Sequence, residues 1–394
     1  MIGISKLYVG TAQPSDALRY GRRSDRLPSH LLQFSADKKP VVVWNVTRRC
    51  NLQCRHCYAG DGGNVQDDEL TPAEGRALID DLAAFGAPVL LFSGGEPLMR
   101  DDLADRVAYT VSRGIRAVLS TNGTMLDTPT ARRLGQAGLS YAGISLDGLE
   151  ETHDAFRSRA GAFNAALAGI RACREAGLKA GLRFTIYRGN AVELPRIFDL
   201  VREERIPRVC FYHLVPAGRG ATLAREDLTH AQTRAVVDTI IDGAAKLAQD
   251  GVNAEVLTVD NHCDGPYVYL RMRREGHPLA EAAHELLRMN GGNSSGCGIG
   301  CVSWDGAVHP DQFWRNRTLG NVRQRPFSAI WTDPGNAFLV RLKDKKPHVT
   351  GRCARCRFLD LCAGNLRARA EAATGDPWAA DPACYLTDEE IGIG

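Results

Sequence analysis

The sequence of 394 residues lacks the features that carry a chain into or across a membrane. It has no run of about 20 apolar residues, the length that spans a bilayer, and residues 1–10 lack the apolar core of a signal peptide. An excess of one charge is also missing, because 49 Lys and Arg stand against 46 Asp and Glu and leave a net charge of +3. No overall field therefore favours nucleic acid or a membrane surface as a partner. We expect a cytoplasmic protein that binds neither.

Cysteine, by contrast, is abundant, and 12 cysteines in a cytoplasmic chain favour metal ligands over disulfides. Cys50, Cys54 and Cys57 are separated by three and then two residues, directly after the apolar stretch Val41–Val46. This spacing can place three thiolates on three irons of one 4Fe-4S cluster and leave the fourth iron open for chemistry. A zinc site or simple burial of the thiols are the alternatives.

Segments typical of strands alternate with amphipathic segments typical of helices. The predicted strands are Val41–Val46, Val89–Phe92, Ile115–Leu119, Tyr141–Ser145, Leu182–Tyr187 and Val209–Leu214. The predicted helices include Thr71–Phe85, Asp101–Arg113 and Ala162–Ala176. Such alternation produces a parallel sheet with right-handed crossovers, and a partly closed barrel carries its chemistry on the loops after the strands. We therefore predict an α/β fold with a partial, TIM-like (β/α)6 barrel over residues 40–250.

Glycines and short polar side chains follow three of the predicted strands. Gly94 and Gly95 allow the backbone to approach a ligand closely, and Glu96 can accept a hydrogen bond from an ammonium group. The polar residues after the third and fourth strands suit a carboxylate or a ribose hydroxyl, and they are Ser120, Asn122, Ser145 and Asp147. Taken singly, each of these motifs is also ordinary turn chemistry.

Together, the cysteine loop and the strand-end motifs resemble the radical S-adenosylmethionine (SAM) enzymes in order and spacing. In that family the amino and carboxylate groups of SAM occupy the open iron, and a GGE motif holds the methionine amine. The resemblance implies a catalytic cluster on Cys50, Cys54 and Cys57. It also implies a set of SAM contacts, which are Gly94, Gly95, Glu96, Ser120, Asn122, Ser145, Asp147 and Arg183.

A second cysteine set lies near the C-terminus, at Cys353, Cys356, Cys362 and Cys384. Four thiolates can close a second 4Fe-4S cluster, although a zinc site remains open because CxxC pairs serve both metals. Residues 251–394 resemble the SPASM or twitch extensions of radical SAM enzymes, which implies two 4Fe-4S clusters.

The pattern for a third cluster is incomplete. Leu366 stands where the two-cluster extensions have another cysteine, and Asp311 follows the turn after which a further ligand is expected. Cys297 and Cys301 have the spacing to join a site, whereas Cys173, Cys210 and Cys263 stand alone and are predicted to be buried, as isolated cysteines usually are.

Several further stretches resemble the radical enzymes of the alternative heme pathway, above all the didecarboxysiroheme deacetylases and then the heme d1 biosynthesis enzymes. These stretches are residues 2–8, 17–22, 27–35, 211–216 and 218–220. The resemblance implies that a deoxyadenosyl radical removes acetate side chains from an iron tetrapyrrole to give iron-coproporphyrin. A flavodoxin or ferredoxin would supply the low-potential electron.

A cluster of arginines before the barrel suits an acidic macrocycle, because guanidinium groups bind carboxylates in a bidentate manner. The candidate substrate contacts are Arg19, Arg22, His30 and His213, with Arg23 and Arg26 in the same basic cluster. We predict that residues 1–39 cap the barrel or contact the substrate. A charge run is also often a solvated face, and a barrel histidine is as often structural.

Two other function classes remain. A radical peptide-maturing enzyme would share both cysteine sets, but such enzymes commonly have a peptide-recognition domain before the barrel, and only 49 residues precede Cys50. A non-catalytic iron-sulfur electron carrier would not need the strand-end loops.

Replacing Cys50, Cys54 and Cys57 together with Ala should remove about four irons per chain, the content of one 4Fe-4S cluster, and abolish cleavage of SAM. Iron analysis and the yield of deoxyadenosine from the reduced protein measure the two effects. An unchanged deoxyadenosine yield would contradict this assignment.

Overall fold

Eleven strands form one sheet in the computed structural model, which describes residues 1–13, 15–20, 39–59 and 68–393. The strands are β1 (Ile2–Gly3), β2 (Val41–Thr47), β3 (Val89–Gly94), β4 (Arg116–Thr121), β5 (Ala142–Ser145), β6 (Ala180–Ile186), β7 (Arg208–His213), β8 (Glu255–Val259), β9 (Ile299–Val302), β10 (Ala307–His309) and β11 (Gly320–Asn321). Their order across the sheet is β1-β8-β7-β6-β5-β4-β3-β2-β9-β10-β11. The strands β2 to β8 run parallel to one another, so their carboxyl ends meet at one edge.

Fifteen α-helices connect and cover the strands of the described chain. They are α1 (Asp16–Tyr20), α2 (Pro72–Phe85), α3 (Leu103–Ser112), α4 (Thr128–Gln136), α5 (Glu150–Arg157), α6 (Ala162–Glu175), α7 (Leu194–Glu203), α8 (His230–Gln249), α9 (Asp264–Arg274), α10 (Ala280–Asn290), α11 (Phe327–Trp331), α12 (Ala337–Lys343), α13 (Leu359–Cys362), α14 (Arg367–Thr374) and α15 (Asp388–Ile391). Each amphipathic helix buries its apolar face against the sheet, as α2 does with Leu78, Ile79 and Leu82. None of the helices in the described part of the chain is both long and apolar enough to cross a bilayer.

The six predicted strands correspond to β2 through β7, and the three predicted helices correspond to α2, α3 and α6. The α/β fold with six successive βα units is therefore confirmed. The sheet extends further than the sequence predicts, because β8 and β9 come from residues after 250 and pair with β7 and β2. Both strands are short and largely buried, so they carry little periodicity in the sequence.

The N-terminal segment packs against β8: β1 pairs with the carboxyl half of that strand, and Arg19 lies at its amino end. Arg19 is 6% exposed and forms ion pairs with Asp16 and with Glu255, the first residue of β8. Glu255 also pairs with Arg208. We expected Arg19 to contact the substrate. In the structure its guanidinium instead pairs with two buried carboxylates of the scaffold. Arg22, Arg23, Arg26 and His30 lie outside the described residues.

Candidate active site and cluster sites

A cavity of about 1060 Å³, including space open to solvent, lies at the carboxyl ends of the parallel strands. Most of the residues predicted to bind the first cluster or SAM line it together, although they come from separate loops. They are Cys50, Cys54, Cys57, Gly94, Gly95, Ser120, Asn122, Ser145 and Arg183. His213 lines the same cavity. The parallel sheet thus brings together residues that are spread over more than a hundred positions of the sequence.

The three cysteines of the first set suit an iron-sulfur cluster. All three are free thiols, and Cys50 is exposed whereas Cys54 is buried. Two donors already point to their sulfurs: the backbone N–H of Leu52 lies 3.4 Å from Cys50 Sγ, and Arg157 Nη1 lies 3.4 Å from Cys54 Sγ. Hydrogen bonds to sulfur stabilise the thiolate form that binds iron.

Gly94 and Gly95, at the end of β3, lie so close to the residues before Cys50 that neither position has room for a side chain. A Cβ on Gly95 would lie 2.1 Å from the carbonyl oxygen of Arg49, and one on Gly94 would lie 2.4 Å from that of Thr47. The N–H of Gly95 donates to Thr47 O at 2.8 Å, and the N–H of Glu96 donates to Arg49 O at 2.8 Å. The two loops are therefore packed backbone against backbone, which leaves the glycines facing the cavity without side chains.

Glu96 does not face the cavity as expected. Its side chain is fully buried, and its carboxylate accepts hydrogen bonds from Thr121 Oγ1 at 2.7 Å, Asn122 N at 2.8 Å and Leu98 N at 3.1 Å. Burial raises the pKa of Glu96, and these donors oppose that shift. The carboxylate therefore joins the β3 and β4 loops, and the glycine loop, Gly94 and Gly95, presents its backbone to the cavity.

Asp147 is also turned away from the cavity. It is fully buried, forms an ion pair with Arg157 and accepts a 2.7 Å hydrogen bond from the N–H of Thr185. Burial alone would raise the pKa of Asp147, but the Arg157 guanidinium holds it below its usual value. Arg157, which the sequence analysis did not single out, lines the cavity beside Cys54. Only the fold brings it there, from the last turn of α5.

The opposite wall of the cavity has a cation and an acid. The guanidinium of Arg183 lies 4.6 Å from the centre of the Tyr212 ring, and among the described residues it forms no ion pair. Asp260 follows β8 with a φ of 67°, a left-handed conformation that costs a non-glycine residue about 1–3 kcal/mol. Burial raises the pKa of Asp260 to about 6. Asp260 was missed because β8 itself was not predicted.

His213 is held by the C-terminal part of the chain. Its Nε2 lies 2.8 Å from Asp264 Oδ2, and Asp264 also accepts a 2.7 Å hydrogen bond from Tyr385. His213 is 7% exposed, and its contact with Asp264 already occupies one of its ring nitrogens.

A second cavity, of about 420 Å³ including space open to solvent, contains the C-terminal cysteines. Its thiols are Cys263, Cys353, Cys356, Cys362 and Cys384. The four predicted ligands are thus together, and the wall around them is largely apolar, with Phe358 and Leu386 among its residues. The fifth thiol was predicted to be isolated. Cys263 comes to this cavity because the turn after β8 leads directly into α9, and its Sγ donates to Asn261 Oδ1 at 3.0 Å.

Cys297 and Cys301 do not line the second cavity. Cys297 Sγ lies 3.5 Å from the buried ammonium of Lys345, whereas Cys301 lies in β9 and accepts from Asn45 Nδ2 at 3.5 Å. Asp311 accepts hydrogen bonds from Ser295 Oγ and from the backbone of the loop that follows it. Cys297, Cys301 and Asp311 thus each contact polar groups of the protein.

The sequence of this chain is similar to those of known proteins. The Fe-coproporphyrin III synthase of Methanosarcina barkeri (strain Fusaro / DSM 804) is 61% identical over 395 residues, covering 100% of this chain and 99% of the relative. The model of the Radical SAM superfamily matches residues 44–201. The chain belongs to the radical SAM superfamily. The model of the SPASM iron-sulfur cluster-binding domain matches residues 297–357 of this radical SAM enzyme.

Other relatives of this radical SAM enzyme extend the comparison. The pre-heme d1 synthase of Dinoroseobacter shibae (strain DSM 16493 / NCIMB 14021 / DFL 12) is 43% identical, over 90% of this chain and 88% of the relative. The solved structure of anSMEcpe with bound AdoMet has a TM-score of 0.68 at 17% identity, over 90% of this chain and 96% of that one, which shows a shared fold. The enzyme uses SAM and two 4Fe-4S clusters.

Glu96→Gln should keep the iron of the first cluster and weaken SAM binding about tenfold or more, because it disturbs the hydrogen bond that positions the cavity residue Asn122, and a hydrogen bond to a charged group contributes about 1.5–3 kcal/mol. Gln can still accept from Thr121, but its amide would turn a second donor towards the N–H of Asn122. Calorimetry measures the affinity, with Glu275→Gln, at an exposed acid of α9's C-cap, as the control. Wild-type affinity in Glu96→Gln would contradict this role of the carboxylate.

Cys384→Ser should lose the second cluster and about half of the iron, whereas Cys263→Ser should keep both clusters, because a 4Fe-4S cluster takes four thiolates. A serine hydroxyl at position 263 can still donate to Asn261. Iron and sulfide analysis with Mössbauer spectroscopy distinguishes the two variants. The opposite pattern would make Cys263 the fourth ligand in place of Cys384.

Proposed function

We propose that this enzyme removes the acetate side chains of 12,18-didecarboxysiroheme and forms Fe-coproporphyrin III. The observation that carries the proposal is the 61% identity, over the whole length of both chains, to an Fe-coproporphyrin III synthase. The cavity of the radical SAM barrel supports it with a surface suited to an acidic, planar macrocycle.

The aromatic side chains of the cavity provide the apolar part of that surface. Tyr58 and Phe313 pack edge to face with their ring centres 5.3 Å apart, and Tyr212 lies on the other wall. Aromatic rings of this kind can pack against the faces and edges of a flat ligand. In this proposal they orient the macrocycle and exclude water from the reacting side chain.

Arg183 provides the charge that such a ligand needs. Its guanidinium is unpaired among the described residues and stacks on Tyr212, which keeps its hydrogen-bond donors directed into the cavity. An unpaired, desolvated guanidinium favours a carboxylate ligand, and Arg binds it in a bidentate manner. Arg183 would hold a carboxylate of the substrate or of SAM, while Asp260 and His213 face the same space and complete its polar surface.

The glycine loop and the polar side chains after β4 and β5 would hold SAM beside the open iron. When bound on Cys50, Cys54 and Cys57, the cluster supplies the electron that cleaves SAM to the deoxyadenosyl radical. The protein's own residues then bind and orient the two ligands. A flavodoxin or ferredoxin as electron donor and a cytoplasmic location belong to the same proposal, as do residues 40–250 as the barrel and 251–394 as the auxiliary domain.

A second candidate is a heme d1 type reaction on a different side chain of the same substrate, which the 43% identity to a pre-heme d1 synthase favours. The two relatives have similar coverage, so the choice depends on the difference in identity and on the product.

Anaerobic, reduced enzyme incubated with didecarboxysiroheme and SAM should yield a product whose mass corresponds to loss of both acetate side chains, and deoxyadenosine should form with it. Mass spectrometry of the tetrapyrrole measures this. Reactions without SAM, and with the triple cysteine variant, are the controls. A product that keeps its acetates and loses other side chains would overturn the deacetylase assignment in favour of the heme d1 type reaction.

A further inference from the structure

Arg157 is a cationic side chain in contact with a sulfur of the first cysteine set. Its Nη1 lies 3.4 Å from Cys54 Sγ, and its side chain is only 8% exposed. Arg219 is also near Cys54 but donates to the backbone carbonyl at 3.0 Å, and Arg55 pairs with Glu226 at the surface. Among these cations, Arg157 alone is in direct contact with the ligand atom.

Contacts of the preceding residue, Phe156, hold Arg157 beside the cysteine loop. The N–H of Arg55, the residue after Cys54, donates to the carbonyl of Phe156 at 3.0 Å. The rings of His56 and Phe156 are stacked 4.3 Å apart with an interplanar angle of 1°, and Phe156 is stacked on Tyr187 at 4.4 Å. The end of α5 is therefore packed against the cysteine loop, which restricts the movement of the Arg157 guanidinium.

Asp147 forms the other contact of this guanidinium. It pairs with Arg157 from the end of β5 and is itself held by the N–H of Thr185 at 2.7 Å. The Asp147 carbonyl accepts from Asn190 Nδ2 at 2.8 Å, and its N–H donates to His153 Nδ1 at 2.9 Å. The order in space is thus sulfur, guanidinium, carboxylate, with every backbone and side-chain group of Asp147 fixed.

The reduction potential of an iron-sulfur cluster depends on its net charge, on hydrogen bonds to its sulfurs and on its exposure. Reduction adds a negative charge, so a nearby cation stabilises the reduced cluster and a nearby anion destabilises it. We propose that Arg157 tunes the reduction potential of the first cluster through its hydrogen bond to Cys54, and that Asp147 limits this effect. Arg157 is a positioning and tuning residue for the cluster; the proposal rests on the cluster at Cys50, Cys54 and Cys57 and not on the identity of the tetrapyrrole.

Redox titration followed by electron paramagnetic resonance, on the full chain with both clusters and without SAM, tests the proposal. The midpoint potential of the first cluster should become more negative in Arg157→Met, which removes both the charge and the hydrogen bond. It should become less negative in Asp147→Asn, which removes the opposing charge. The second cluster serves as an internal reference whose midpoint should not change in either variant.

Arg171→Met is the matched control, because it removes an arginine that pairs with a carboxylate, Glu204, and lines neither cavity. It should leave both midpoints unchanged. Arg157→Gln, which keeps donors but removes the charge, decides the matter if Arg157→Met fails to assemble the first cluster, and its midpoint should also become more negative. Unchanged midpoints in the Arg157 variants, or shifts of the same sign in the Arg157 and Asp147 variants, would overturn the proposal. Because SAM and substrate are absent, these outcomes are independent of whether the enzyme deacetylates didecarboxysiroheme.

Discussion

The loops that follow β3 and β4 meet at one buried carboxylate, that of Glu96, while the backbone of the same segment bonds the cysteine loop. Three donors converge on Glu96, from Thr121, Asn122 and Leu98. Leaving a buried donor without its acceptor costs about 1–3 kcal/mol, so these contacts fix the conformation of two loops that the pairing of β3 with β4 already brings side by side. The positions of the cysteines, the glycine loop and Asn122 relative to one another all depend on this segment.

The C-terminal part of the chain completes the barrel as well as holding the second cluster. β9 adds to the free edge of β2, and Arg369, which is buried in an ion pair with Asp381, donates to the carbonyls of Leu214 and Asp260. Residues from this part also form the cavity wall, since Gln312 and Phe313 line it. The substrate cavity of the proposed function is therefore a joint product of the barrel and the extension.

The turn from Asp260 to Asp264 joins the two cavities. Asp260 lines the first cavity, Cys263 lines the second, and Asp264 bonds His213 on the barrel side and Tyr385 on the other. A residue at one cavity is thus at most a few positions from a residue at the other. This short connection places the two cavities on either side of one turn.

The sequence by itself predicted the strands β2 to β7 and the helices α2, α3 and α6, and it showed the two cysteine sets and the motifs at the strand ends. These are local signals: periodicity, spacing and turn residues are written in neighbouring positions. Only the tertiary structure decided which way Glu96 and Asp147 face, that Arg19 pairs with Glu255, and that Cys263, Asp260 and Arg157 join the sites. The physical reason is that each of these depends on a partner far away in the chain, such as the 103 positions between Cys54 and Arg157. A buried charge takes its orientation from such a partner, and no local pattern specifies it.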